Sequence, residues 1–122
     1  MYIVYETGND INELRSKYLV LELDTLELSD GNTIATYAVV DKDCIVLQEI
    51  TILDNLKRLH EGLIRNYHKR NWKYCRDAIE HLQGKFKGEL DSFYAEFLTR
   101  IEILENAELP SDWTGNIKLT TQ

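Results

Sequence analysis

The stretch Leu90-Asp91-Ser92-Phe93-Tyr94-Ala95-Glu96-Phe97-Leu98-Thr99-Arg100-Ile101-Glu102-Ile103-Leu104 decides the class of fold. Its residues Leu90, Phe93, Tyr94, Phe97, Leu98, Ile101 and Leu104 recur at the spacing that places side chains on one stripe of an α-helix. A stripe that wide must be covered, so the stretch predicts the centre of a helical core. Leu109-Pro110 follows and ends it, because proline supplies no N–H and its ring clashes with the preceding turn.

Two more stripes lie upstream. Leu53, Leu56, Leu59, Leu63, Ile64 and Tyr67 share one arc, and Thr51 with Asp54 has the form of a capping box. After Asn71, a good N-cap, the residues Trp72, Cys75, Ala78, Ile79 and Leu82 share a face until Gly84. The link between these two helices is short, which predicts an antiparallel αα-hairpin.

Before residue 51 the period drops to two. Tyr2 to Glu6 reads as a short strand ending at Thr7-Gly8-Asn9-Asp10, and residues 11 to 17 are ambiguous, with room for one helical turn. Leu19, Leu21, Leu23, Leu26 and Leu28 describe a strand bent near Asp24. Ser29-Asp30-Gly31-Asn32 turns it into a second strand, Thr33 to Val40. A further connection at Asp41-Lys42-Asp43 leads to a third, Cys44 to Leu47. Beyond the helices, Trp113 and the alternating Ile117 and Leu119 predict a tail that docks back as an edge strand. The expected fold is therefore α+β: an N-terminal antiparallel sheet of three or four strands followed by three amphipathic helices. It is read as one domain over 1–122, with a β-rich half (1–50), a helical half (51–107) and a tail (108–122).

Composition bounds the function. The 122 residues are 43% apolar and 29% charged, the balance of a chain that folds on its own. No apolar run approaches the roughly 20 residues of a membrane-spanning helix, and no leader pattern opens the chain. The expectation is no membrane, and the cytoplasm as compartment. Cys44 and Cys75 are too few for a disulfide framework and are read as free thiols.

The net charge of −7 is unevenly spread. Residues 51–88 carry nine basic and four acidic side chains, a local +5, while both flanking segments are acidic. Arg65, Lys69, Arg70, Lys73 and Arg76 gather around the turn between the first two helices, beside Trp72 and Tyr74. A basic patch with aromatics binds an acidic protein or a nucleic acid. The competing reading is internal neutralisation by the acidic last helix and strands. The negative total opposes long-range attraction to phosphate backbones, which favours a protein partner.

The stretch Leu63-Ile64-Arg65-Asn66-Tyr67-His68-Lys69-Arg70-Asn71-Trp72-Lys73-Tyr74-Cys75-Arg76-Asp77-Ala78 resembles a single tetratricopeptide-type helix pair. No second copy follows at the ~34-residue offset of such arrays, so the likeness implies architecture alone. The order Asn71-Trp72, Gly88-Glu89-Leu90-Asp91-Ser92-Phe93-Tyr94, Arg100-Ile101 and Trp113-Thr114-Gly115 resembles small uncharacterised proteins of marine T4-like phages. That resemblance spans most of the chain and implies a phage-like origin and a role inside an infected host cell. It implies no activity and no catalytic residue.

Chemical constellations are weak. His60, His68 and His81 are too far apart for a helical metal pair, and the position that would complete a zinc-protease motif after His60-Glu61 is Ile64. His60 falls in the apolar arc and is expected to be partly buried with a hydrogen-bond partner. Cys75 shares the face of Trp72 and Leu82, which makes it a small core residue and not a nucleophile. The carboxylate pairs, such as Asp41 with Asp43, lack the contrasting environments that acid–base work requires. Gly84-Lys85-Phe86-Lys87-Gly88 has no strand before it, as a phosphate loop would need. The expectation is a non-enzymatic interaction or adaptor module without cofactor or metal, whose contact surface is Tyr67, Arg70, Trp72, Lys73 and Tyr74. A nucleic-acid-binding accessory role and a small enzyme with an unrecognised pocket are the alternatives, and a homodimer is left open.

Overall fold

The computed structural model describes residues 2–118 and, of Cys44, the backbone alone. Leu119, the last position of the expected tail strand, lies outside the described residues. The described chain divides into two compact units, residues 2–42 with 115–118, and residues 43–114.

The first unit is a sheet. Strand β1 (Tyr2–Tyr5) is followed by helix α1 (Ile11–Lys17), then β2 (Leu19–Glu27) and β3 (Thr33–Val40). Strand β4 (Ile117–Lys118) returns from the far end of the sequence, and the spatial order is β1-β3-β2-β4. The ambiguous segment 11–17 is a helix because Asp10 caps it, its side chain accepting the Glu13 N–H. The turn after β2 forms where expected. Gly31 takes φ +88°, which favours glycine, and Asp30 accepts the Asn32 N–H at 2.9 Å. The bend also lies at Asp24, as a register shift between Glu22 and Thr25. Thr36 Oγ1 spans it, donating to the Asp24 carbonyl and accepting from the Asp24 N–H. Leu19, Leu21, Ala38 and Val40 on one face and Val20 and Val39 on the other are all buried.

Two expectations about the sheet are corrected. Cys44 to Leu47 is not a strand: a 3-10 turn at Lys42–Cys44 leads into the short helix α2 (Leu47–Ile50). The position beside β3 that a meander would give this segment is taken by β1, and the other side of β3 by β2. The sheet is also mixed, because β4 runs parallel to β2 with Ile117 opposite Leu26. A strand arriving from a remote part of the chain is not bound by the hairpin rule that makes sequential strands antiparallel.

The second unit is helical: α2, α3 (Leu53–His68), α4 (Trp72–Leu82) and α5 (Asp91–Glu105). Leu56, His60, Leu63, Ile64 and Tyr67 of α3, Cys75, Ala78, Ile79 and Leu82 of α4, and Tyr94, Phe97 and Ile101 of α5 are buried, as their stripes require. Ile103, off the stripe, is 65% exposed. The expected capping box does not form. Ile52 is the N-cap of α3, while Thr51 closes α2 in helical geometry and is denied the extended conformation of a capping residue. Asn71 does cap α4, accepting the Tyr74 N–H.

The α3–α4 pair is antiparallel: Tyr67 meets Trp72 near the turn, and further along Cys75 Sγ lies 3.7 Å from the Leu63 carbonyl. Gly62 leaves the space that the Tyr74 hydroxyl fills. Between α4 and α5, Phe86 and Lys87 both take φ +54°, a left-handed geometry that side chains resist. Complete burial of Phe86 and acceptance of its N–H by the buried Glu49 carboxylate at 3.0 Å hold that turn.

Candidate functional site

The sequence-derived surface residues meet at the closed end of the α3–α4 hairpin. The turn there is made by Arg70 at φ +63°, while Asn66 and Asn71 clasp it: the Asn71 N–H donates to the Asn66 carbonyl at 2.9 Å, and Asn71 Nδ2 donates to Asn66 Oδ1. A left-handed residue lets the chain reverse within three residues, so Tyr67, the last aromatic of α3, faces Trp72, the first residue of α4.

Tyr67 is not on the surface. It is 4% exposed, with its ring centre 4.7 Å from Phe97 of α5 and 6.0 Å from Trp72. It therefore supports the corner from beneath. Trp72 and Tyr74 are half-buried and Lys73 is exposed. Arg70 is half-buried and committed: its guanidinium donates to the Pro110 carbonyl and lies 5.3 Å over the Trp113 ring.

Trp113, which the sequence places in a docking tail, completes the corner. Its ring lies 5.5 Å from Tyr67 and 5.8 Å from Trp72, in edge-to-face geometry with both. The His68 ring nitrogen Nδ1 is 2.6 Å from the Thr114 carbonyl, which pins the segment just after Trp113. The sequence signal for this contribution was a lone tryptophan in an otherwise polar stretch after Pro110. Both tryptophans of the chain thus sit at one corner, half-buried, with Lys69 and Lys73 exposed beside them.

Arg76 leaves the patch. It forms a two-pronged ion pair with Glu105 of α5, which holds the Glu105 carboxyl below its usual range and raises the Arg76 guanidinium. The basic cluster of the sequence is therefore split between internal neutralisation at Arg76 and open charge at Arg65, Lys69 and Lys73.

The other chemical candidates are structural. His60 is fully buried, its Nδ1 2.9 Å from the Tyr94 hydroxyl, with the Phe93 and Tyr94 rings packed around it. Burial, with the charge of Asp91 as the lesser cause, pushes the Tyr94 hydroxyl well above its ordinary range, so it stays protonated and serves as a hydrogen-bonding group. His81 turns back to the Asp77 carbonyl at 3.0 Å. Among the described residues no three His, Cys, Asp or Glu side chains gather as metal ligands, and no helix is long and apolar enough to cross a membrane. A shallow, open concavity of about 500 Å³ runs along the outer side of α5, lined by Ser92, Ala95, Glu96, Thr99, Arg100 and Ile103. It holds no nucleophile–base pair.

Burial, offset in part by the neighbouring Arg76 charge, pushes the Cys75 thiol up to about 11 from its ordinary 9.0. A thiol reagent at pH 8 should modify Cys75 only as fast as the helical unit opens. Because the folded value lies above the unfolded one, the stability from this thiol is complete below pH 9 and is lost as pH rises toward 11. Cys75→Ala should flatten the fall in denaturation midpoint across that window; an unchanged fall would assign it to other groups.

No family model, curated protein or solved structure matches the chain.

Proposed function

We propose that the chain is a non-enzymatic interaction module that takes an acidic protein segment at the α3–α4 corner. The observation that carries this reading is the pairing of Trp72 and Trp113, rims half open to solvent, over a floor of Tyr67 and Phe97. Aromatic groups held in one geometry lose little entropy when they bind, and tryptophan, tyrosine and arginine dominate the energetics of protein interfaces. Lys69 and Lys73 add positive charge at the edge of that platform, where it speeds encounter and selects carboxylates. The phage-like resemblance makes the partner a protein of an infected bacterial cell, met in its cytoplasm.

A nucleic-acid partner is the second reading, since bases also stack on tryptophan beside cations. The net charge of −7 weighs more heavily against it than against a short acidic segment, because a phosphate backbone carries a denser and longer run of negative charge. Retention of the full chain on an immobilised glutamate- and tyrosine-rich polypeptide, on single-stranded DNA and on RNA separates the two. The module reading expects retention on the polypeptide and release from both nucleic acids at low salt. Retention on nucleic acid that falls steeply with salt, with none on the polypeptide, would replace it with the second reading.

A further inference from the structure

We infer that the chain pairs with a second copy of itself through the open edge of β1, forming a weak dimer whose two-fold axis passes through Val4. The edge is unusual in what it shows to water. Tyr2, Ile3 and Tyr5 are 50%, 55% and 53% exposed, and no residue of Tyr2–Tyr5 is charged. An apolar, uncharged edge strand is a template for another strand.

The ladder tells which backbone groups are free for it. β1 runs antiparallel to β3, with Tyr5 opposite Thr36, and the next residue, Glu6, donates its N–H to the Ala35 carbonyl at 2.9 Å. Glu6 therefore faces β3, and the alternation of an antiparallel pair turns Val4 and Tyr2 the same way. Ile3 and Tyr5 point their N–H and C=O groups to the open side. In agreement, the Tyr5 carbonyl is met by the Asn9 side-chain amide at 2.9 Å, which uses one of its two lone pairs.

This arrangement matches itself. Ile3 and Tyr5 lie one residue to either side of Val4, so a second β1 running antiparallel sets Ile3 against the other copy's Tyr5, and Tyr5 against its Ile3. Four backbone hydrogen bonds form, two at each end. The Ile–Tyr contacts unite a β-branched and an aromatic side chain on one face, a favourable cross-strand pairing.

Area and charge set the strength. Pairing over four residues buries a few hundred Å² per copy, on the order of half the ~800 Å² per partner of a stable interface. Each copy also carries −7, so the two repel beyond the contact. The dimer is therefore weak, populated at high protein concentration and favoured by added salt.

Light scattering of the full chain from 10 µM to 1 mM and cross-linking of cysteine variants test this. The average mass should rise towards two chains with concentration, and rise further with salt. Ile3→Lys should lower the dimer fraction at 0.5 mM at least tenfold, and so should Ile3→Pro, which removes only an outward N–H; their unchanged thermal midpoints would exclude unfolding as the cause. In a Cys44→Ser background, Val4→Cys should give a reducible dimer on mild oxidation, because Val4 faces its own copy at the ~4.5 Å Cα separation of a non-hydrogen-bonded pair. Ile3→Cys should not. A chain monomeric at 1 mM, a dimer indifferent to the Ile3 variants, or equal cross-linking at both positions would each overturn the proposal.

Discussion

Phe97→Ala is expected to cost about 3–5 kcal/mol of stability, the range for emptying a large aromatic site in a packed core. Phe97 is fully buried, with its ring centre 4.7 Å from Tyr67 and 5.3 Å from Phe93 and the Arg100 guanidinium 5.2 Å over it. The loss is comparable with the whole stability of many small domains, about 5–15 kcal/mol. It should also reach the corner, because Tyr67 loses its floor and Trp72 and Trp113 lean on Tyr67. Denaturant titration followed by helical circular dichroism and by tryptophan emission should show both changes. A loss below about 1 kcal/mol would mean that Phe97 does not anchor this core.

The double variant Lys69→Glu with Lys73→Glu should weaken binding of an acidic segment at least tenfold while leaving the denaturation midpoint within error. Both lysines are exposed, so their replacement removes little packing. Each reversal exchanges attraction for repulsion at the edge of the tryptophan platform. Arg70 is a poor choice for the same experiment. It carries the left-handed turn, the hydrogen bond to Pro110 and the stacking on Trp113, so a substitution there would confuse recognition with folding. Binding by calorimetry at two salt concentrations reads the effect, and undiminished affinity would remove Lys69 and Lys73 from the site.

The helices were legible because each carries its own periodicity. Leu56 to Tyr67, Cys75 to Leu82 and Tyr94 to Ile101 had to be buried together, and they are. The hairpin after β2 was legible from Asp30-Gly31-Asn32, whose local chemistry selects the turn. What escaped depended on distant residues. Cys44 to Leu47 has strand-like composition, but β1 holds the position beside β3 that it would need. Thr51-x-x-Asp54 has capping chemistry, yet Thr51 is already used to close α2. At the site, charge and aromaticity pointed to the hairpin end but could not tell which residues face water. Tyr67 sits beneath the surface, Arg76 is paired with Glu105, and Trp113 crosses from the tail to finish the platform. Each of these depends on the placement of α5 and the segment after it, which no window on residues 67–74 contains.

The most direct measurement is tryptophan emission of the full chain during titration with a short peptide of aspartate, glutamate and tyrosine, with calorimetry on the same samples. Trp72 and Trp113 are the chain's two tryptophans, and their ring centres are 5.8 Å apart, so the emission reports on the corner alone. A saturable change in intensity and reduced quenching by acrylamide are expected, with the same midpoint as the heat of binding. Heat of binding without any change in emission would place the peptide elsewhere and contradict the assignment of this corner as the recognition surface.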